Sequence, residues 1–238
     1  MTQTEGIVIN THKYQENSKL IYVITNDKFI TLLVRASCKY ESKNFQAAQE
    51  LILLNFDIAE SKKNSFSVLK SYEILDNYKY IKSNYEALMI IMDMYNIIYK
   101  FHDHITNISN LYYLIKYIIG KINNICLNNF DINLIKMYKL LFYTKLLYLF
   151  GVGPNFKNCT LCGSSSAYNF SVSAGGLVCD KCKCEDKFIG EYVGLFKVFY
   201  LGKLDVFEEK LLNEYISSYE SIYKLLKVYY DKYLGIRL

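Results

Sequence analysis

The first 75 residues of this 238-residue chain carry short apolar runs that are rich in β-branched and aromatic side chains, with polar breaks between them. This pattern is typical of strands. The polar residues 26–28 predict a turn, and residues 60–64 predict a hairpin loop. Five strands are expected, at residues 6–9, 19–25, 29–34, 51–58 and 65–72.

From about residue 76 the apolar residues recur at three- and four-residue spacing, which is typical of helices packed on a core. Asn84 and Asp131 are suitable residues to cap two of these helices, and residues 151–154 end a third. The helices are expected at residues 85–101, 108–127, 133–150, 191–202 and 211–233.

These elements predict an α+β protein with two domains. Five close-spaced strands leave no room for crossover helices, so residues 1–77 are expected to form a small five-stranded β-barrel, of which the OB-fold is the commonest nucleic-acid-binding version. Residues 78–238 are expected to form a helical domain. An insertion at about 157–187 interrupts it, and residues 168–172 predict a short strand there.

Two C-x-x-C pairs, Cys159 with Cys162 and Cys179 with Cys182, lie sixteen residues apart within the insertion. Two thiolates at this spacing can hold one edge of a tetrahedral Zn²⁺, and a second pair closes the opposite edge. We therefore expect a structural zinc ion, because four thiolates leave no position for water or substrate. Cys184 lies close enough to replace Cys182 as a ligand.

The alternative is that the two pairs are redox pairs or disulfides. The first five residues are polar and run into an apolar, strand-like segment, which does not indicate a signal peptide. A cytoplasmic chain, the expected localisation, keeps its thiols reduced, so zinc is the favoured interpretation. Cys38 and Cys126 are isolated and are expected to be ordinary half-buried residues.

Composition and charge narrow the class of protein. The chain is 52% hydrophobic, which is ample for packed cores, but its most apolar run is interrupted by Lys145 and is too short to span a membrane. The net charge is +5. Nine basic and nine acidic residues fall within 1–77, so the excess, 19 basic against 14 acidic residues, lies in 78–238. This charge permits a polyanionic partner without requiring one.

The chain resembles the RecO family of bacterial recombination mediator and DNA repair proteins. The resemblance rests on an ordered set of residues that covers nearly the whole sequence. The set comprises residues 5–9, 12–20 and Thr25, then Phe142, 145–147 and 151–156, then Cys159-x-x-Cys162-Gly163, 175–182 and 233–235.

The resemblance implies a DNA mediator without enzymatic activity, located in the cytoplasm at the nucleoid. Such a protein binds single- and double-stranded DNA, anneals complementary strands, binds the C-terminal tail of single-stranded DNA-binding protein, and helps RecR load RecA. His12, His102 and His104 are not accompanied by a hydrolase, Walker or metalloprotease motif, which agrees with a protein that is not an enzyme. A zinc-stabilised RNA-binding module and a protein-interaction scaffold remain as alternatives.

DNA binding needs cations for phosphates and aromatic faces for bases. The candidates in the barrel are Lys13, Tyr14, Lys19, Arg35, Lys39, Tyr40 and Lys43, the last four in the loop after the third strand. In the family this loop usually is more basic and contains glycine. Here Ala36 occupies a position where glycine is common, and Glu41 adds an opposing charge.

For the partner tail, the resemblance implies an apolar pocket in the helical domain with a rim of cations. Lys136, Lys139 and Lys145 are the candidates, next to Met137, Leu140, Leu141 and Phe142. The alternative is that these apolar residues are core, since a helical spacing of such side chains is more often that of a buried face.

Overall fold

The computed structural model describes residues 4–59 and 66–238, so the hairpin loop predicted at 60–64 lies outside the described residues. The chain forms two compact units, Met1–Phe130 and Asp131–Leu238. The first three helices belong to the unit that contains the barrel. The boundary that we expected between two domains, after residue 77, falls inside this first unit, between the barrel and the three helices. That boundary stays a prediction.

The first unit contains five strands followed by three helices. The strands are β1 Thr4–Tyr14, β2 Ser18–Thr25, β3 Phe29–Val34, β4 Ile52–Ala59 and β5 Ser67–Asp76. The helices are α1 Lys79–Lys82, α2 Tyr85–Phe101 and α3 Ile108–Asn128. Short 3-10 turns occur at Gln46–Ala48 and His102–His104.

The second unit alternates helices with a small sheet. The helices are α4 Ile132–Leu149, α5 Glu191–Leu201, α6 Glu209–Glu214 and α7 Tyr219–Leu234, with 3-10 turns at Leu204–Val206 and Ile216–Ser218. The strands are β6 Asn169–Ser171, β7 Gly176–Val178 and β8 Lys187–Phe188, which form one sheet in the order β7-β6-β8.

The five N-terminal strands close into a barrel in the order β1-β2-β3-β5-β4, which confirms the predicted five-stranded barrel and the α+β class. All pairings are antiparallel except the one between β3 and β5. Buried apolar side chains from alternate positions fill the interior, for example Ile21 and Val23 of β2 and Leu54 and Phe56 of β4.

β1 is longer than predicted because it pairs with β2 up to the hairpin end, where Tyr14 lies opposite Ser18. The register shifts between Val8 and Asn10, so Ile9 is an extra residue on β1. A bulge of this kind bends and twists the strand. It lets one strand follow the curvature of the barrel with β4 on one side and β2 on the other.

The predicted helix caps are present. The Asn84 side chain accepts a hydrogen bond from the backbone N–H of Ala87 at 3.0 Å, and the Asp131 carboxylate accepts from Asn133 and Leu134. The single helix predicted at 211–233 is wrong, because the structure divides it into α6 and α7 around Ile216–Ser218. Serine is a weaker helix former than alanine or leucine, which agrees with a break at Ser217 and Ser218.

Helix α4 forms the centre of the second unit. Twelve of its 18 residues are buried, and α5 and α7 pack against it. Tyr230 of α7 donates a hydrogen bond to the backbone carbonyl of Tyr143 at 2.6 Å. In the part of the chain that the structure describes, no helix combines the length and the apolar character that crossing a bilayer requires.

Glu5 ties the first strand to helix α3. Its carboxylate accepts hydrogen bonds from the Lys116 ammonium at 2.6 Å and from the Tyr112 hydroxyl. Burial works to raise the pKa of Glu5, but these two donors outweigh burial and lower the pKa below its ordinary value. The ionised carboxylate therefore stabilises the packing of α3 on the barrel.

We predict that Glu5→Gln lowers the free energy of unfolding by about 1 kcal/mol at pH 7. Because the folded-state pKa of Glu5 is depressed, its contribution is present above the unfolded pKa and is lost as the pH falls through the folded pKa. The difference between wild type and variant should therefore shrink below about pH 4 in urea denaturation. Glu16→Gln, in the exposed β1–β2 turn, is the control and should show no such trend; an equal trend there would contradict the assignment.

Candidate metal centre and nucleic-acid interface

The four cysteines of the two C-x-x-C pairs come together in the second unit. The sulfur atoms of Cys159, Cys162, Cys179 and Cys182 all lie within 4.8 Å of one another. Cys159 Sγ is 3.9 Å from Cys182 Sγ, and Cys162 Sγ is 3.6 Å from Cys179 Sγ. A tetrahedral ion with metal–sulfur bonds of about 2.3 Å requires sulfur–sulfur edges of about 3.8 Å. The cluster can therefore hold a metal ion.

Neither short sulfur–sulfur distance is a disulfide, which would require about 2.05 Å. Cys184 packs near the cluster but is not one of the four mutually close thiols, so the described geometry favours Cys182 as the fourth ligand. A set of four thiols suits Zn²⁺ or iron–sulfur chemistry, since both prefer soft sulfur ligands.

The backbone turn at Cys159 and Cys162 favours the thiolate form of the first cysteine pair. The N–H of Gly163 donates to the Cys159 carbonyl at 2.8 Å, and Gly163 has a φ of +77°, a conformation that favours glycine. Desolvation works to raise the pKa of the Cys159 thiol, but backbone N–H groups of Cys179, Cys162 and Leu161 outweigh it and lower the pKa to about 6. The local backbone thus favours the thiolate, the form that binds metal.

The second pair is held by Lys187, whose role the sequence analysis missed. Its ammonium donates to the carbonyls of Cys179 at 3.1 Å and Cys182 at 3.0 Å, whereas the neighbouring Lys181 and Lys183 are exposed. Carbonyls of a tight turn attract a cation, but the sequence gives no signal of which nearby lysine reaches them.

An aromatic cluster joins the small sheet to the helices of its own unit. Phe170 of β6 lies 5.4 Å from Phe196 of α5 and 6.1 Å from Tyr229 of α7, measured between ring centroids. Phe156 lies 5.8 Å from Phe170. These aromatic contacts attach the small sheet beside the cysteine cluster to α5 and α7. Lys157, Lys181 and Lys183, which lie within a few residues of the cysteines, are exposed.

The predicted DNA contacts collect at one end of the barrel. Lys13 and Lys19 lie directly opposite each other on β1 and β2, and Lys19 is also paired with Val34 at the end of β3. Two lysines therefore occupy directly opposed backbone positions at this end of the barrel. Lys13 is exposed, whereas Tyr14 is half-buried and packs on Phe66.

The loop after β3 is tied to the β1–β2 hairpin. The Ser37 N–H donates to the Asn17 carbonyl at 2.8 Å, and the Cys38 thiol contacts the Ser18 carbonyl at 3.5 Å. Within the loop, the Asn44 amide donates to the Arg35 carbonyl at 2.9 Å. The loop is therefore ordered by its own hydrogen bonds.

The side chains that the loop presents are cationic and aromatic. Arg35, Lys39 and Lys43 are exposed, and Tyr40 is 81% exposed with its ring edge against Phe45. Such a ring can stack with a nucleobase while the cations meet phosphates.

Lys19 differs from its neighbours because its ammonium faces the protein. It donates to the Ala48 carbonyl at 3.2 Å and lies 5.4 Å from the centroid of the Phe45 ring. Lys19 therefore holds the loop in place from the adjacent strand, and a direct contact of Lys19 with DNA stays a prediction.

The three lysines predicted at the partner site do not share one surface. Lys136 and Lys145 are nine residues apart on α4, which places them on opposite faces of a helix with about 3.6 residues per turn. The Lys145 ammonium donates to the carbonyls of Tyr200, at 3.0 Å, and Gly202 at the C-terminal end of α5. Burial lowers the pKa of Lys145 to about 8.

Lys136 and Lys139 are half-buried, and the ammonium of Lys139 lies 5.7 Å from the centroid of the Tyr143 ring. The apolar residues predicted to line the pocket, Met137, Leu140, Leu141 and Phe142, are fully buried. These four residues of α4 are therefore core residues, as the alternative interpretation stated.

Family models for the two halves of one class of DNA repair protein match the chain. The model described as "Recombination protein O N terminal" matches residues 1–78, and "Recombination protein O C terminal" matches residues 124–238. The chain belongs to the RecO family.

Curated relatives are similar over nearly the full length. DNA repair protein RecO of Listeria monocytogenes serotype 4b (strain CLIP80459) is 24% identical over 246 residues, which cover 100% of this chain and 91% of the relative. DNA repair protein RecO of Oceanobacillus iheyensis is 27% identical over 240 residues, with 99% and 89% covered. DNA repair protein RecO of Bacillus cytotoxicus is 26% identical over 250 residues, with 99% and 93% covered.

Ala36 is a strained point in the loop after β3. Its φ is +51°, a left-handed conformation that favours glycine, the residue that the family resemblance implies is common at this position. We predict that Ala36→Gly raises the free energy of unfolding by about 0.5 to 1 kcal/mol, because removal of the Cβ strain exceeds the added chain entropy.

The measurement is urea denaturation followed by circular dichroism. Ala87→Gly, inside helix α2 where φ is helical, is the control and should lower stability by about 1 kcal/mol or more. A loss of stability in Ala36→Gly similar to that of the control would contradict the strain at Ala36.

Proposed function

We propose that this DNA repair protein is a recombination mediator that binds single- and double-stranded DNA and anneals complementary strands. The observation that carries the proposal is the exposed group at one end of the barrel, Lys13, Arg35, Lys39, Tyr40 and Lys43. Cations that neutralise phosphates and a ring that stacks on bases supply what binding without sequence preference needs. No covalent chemistry is required, so the proposed protein is not an enzyme.

The proposed partners are other proteins of DNA repair. The C-terminal tail of single-stranded DNA-binding protein is acidic and apolar, and Lys136 and Lys139 on α4 are the proposed contacts for its carboxylates. Lys145 contributes indirectly in this proposal, because its ammonium binds the carbonyl end of α5. RecR is the proposed partner for loading RecA onto coated DNA.

We also propose that the four-cysteine cluster binds a structural Zn²⁺. Strands of two or three residues cannot bury enough apolar surface to fold alone, and zinc supplies folding free energy to such segments. A bound ion would fix the two C-x-x-C turns in place. The exposed Lys157, Lys181 and Lys183, which lie close to these turns in sequence, would then form part of a rigid basic surface.

The annealing activity is tested with complementary oligonucleotides coated with single-stranded DNA-binding protein, followed by fluorescence over a salt series. We predict acceleration at low salt that fades as salt rises, because phosphate contacts release counterions. Tyr40→Ala should reduce DNA affinity about tenfold, since stacking contributes about 1–3 kcal/mol per base.

Lys28→Ala serves as the control, because Lys28 is exposed in the turn at the other end of the barrel and should leave annealing unchanged. A clear preference of the wild type for structured RNA would favour the RNA-binding alternative. A folded protein without any salt-dependent binding of nucleic acid would favour the scaffold alternative.

For the metal centre, we predict that Cys162→Ala loses bound zinc and makes residues 157–187 sensitive to protease, because three thiolates no longer close the site. Metal content by atomic absorption and limited proteolysis provide the measurements. Cys184→Ala is the matched control and should keep its zinc, because Cys184 is not one of the four mutually close thiols. Full zinc content in Cys162→Ala, or its loss in Cys184→Ala, would refute the ligand set.

A further inference from the structure

The loop after β3 borders a groove between itself and β5, and among the groove's lining residues only Lys43 belongs to the predicted DNA contacts. The groove has a volume of about 500 Å³, and its lining includes Lys43 and Asn44 of the loop and Leu69, Lys70 and Tyr72 of β5. Cavities of about 300–1,000 Å³ accommodate small ligands, so there is room for a nucleotide unit. Two lysines of different elements thus face one concave surface.

Lys70 reaches this groove because of a β-bulge. On β4, Asp57 pairs with Ser71 and the next residue, Ile58, pairs with Leu69, so Lys70 is an extra residue on β5. A bulge re-aims the side chain of the extra residue and commonly occurs beside functional sites. Lys70 is exposed at this position.

The position of Lys43 is fixed from the same strand. The Tyr72 hydroxyl donates a hydrogen bond to the backbone carbonyl of Lys43. The next residue, Asn44, is held through its side-chain amide to the Arg35 carbonyl and through its N–H to the Ser42 hydroxyl. Both lysines are therefore mounted on ordered backbone, which limits the entropy lost when they bind a ligand.

The charge of the groove distinguishes it from a second groove beside the same loop. That groove, of about 370 Å³, is lined by both Lys39 and Glu41, so its charges oppose each other. Among the residues that the structure describes, the lining of the groove beside β5 has two lysines and no carboxylate. Asp57 on the adjacent strand does not line it, and its carboxylate accepts a hydrogen bond from Ser71 at 2.9 Å.

We propose that this groove binds a backbone phosphate of single-stranded DNA, with Lys43 and Lys70 as the contacting cations and Tyr72 as a positioning residue. The proposal rests on the proposed DNA-binding function and adds a defined path, in which the strand passes the Tyr40 ring and continues into the groove along β5. Because the contacts go to phosphate, the groove selects for a polyanionic backbone and not for base sequence.

The test is the salt dependence of binding to a fluorescein-labelled oligothymidylate, measured by anisotropy. For Lys70→Met and, separately, Lys43→Met, the slope of log K against log salt should fall by about 0.7, the value for one phosphate contact on a single strand. Affinity for oligothymidylate and for a mixed sequence should fall by the same factor. Lys28→Met makes the same charge change at the other end of the barrel and should keep the wild-type slope.

The outcomes separate the groove from the wider function. If wild type binds with a salt slope and both groove variants, folded by urea denaturation, match Lys28→Met, the groove proposal is overturned while the DNA-binding function stands. If wild type does not bind the oligonucleotide, both are overturned. A reduced slope in both groove variants, with an unchanged slope in the control, supports the groove.

Discussion

Closure of the barrel depends on the short parallel pairing of β3 with β5. Among the described strands of the barrel this pairing has the fewest residue pairs, Leu32 with Ser67 and Leu33 with Val68. It leaves no unpaired edge between these two strands. Because β3 continues directly into the loop at residues 35–45, the same pairing brings β5 alongside that loop. The placement of Lys70 beside the loop follows from this pairing.

The second unit relies on two different kinds of interaction for one small sheet. The aromatic contacts of Phe156 and Phe170 attach the sheet to α5 and α7 through apolar packing. The far side of the same segment has almost no apolar core of its own, since Cys159, Val178 and Cys179 are the fully buried members of its cluster. The small sheet is therefore attached to the helices by apolar packing. The two C-x-x-C turns depend instead on the cysteine sulfurs and on the hydrogen bonds of Lys187.

Local sequence rules predicted the parts of this fold that depend on neighbouring residues. Strand composition gave the barrel, Asn84 and Asp131 were recognised as caps, and cysteine spacing identified four sulfurs that the structure brings together. The directions of long side chains were not predictable. Lys145 and Lys187 are attracted by backbone carbonyls that only the tertiary structure brings within reach. Spacing along a helix or loop carries no information about such carbonyls.

The β-bulge at Lys70 escaped prediction for a related reason, since the register of β4 against β5 decides which residue is the extra one.

The net charge of the barrel does not describe the local charge of the surface at its loop end. Acidic and basic residues are equal in number over 1–77, yet several acids are engaged by donors of their own unit: Glu5 by Lys116, Glu50 by the Thr11 N–H and Asp27 by the Thr25 hydroxyl. The cations at the loop end are exposed instead. Since charges farther apart than about 10 Å are largely screened at moderate salt, a polyanion placed at that end would interact mainly with the local cations. A neutral domain can therefore present a cationic surface, provided that its fold separates the two signs.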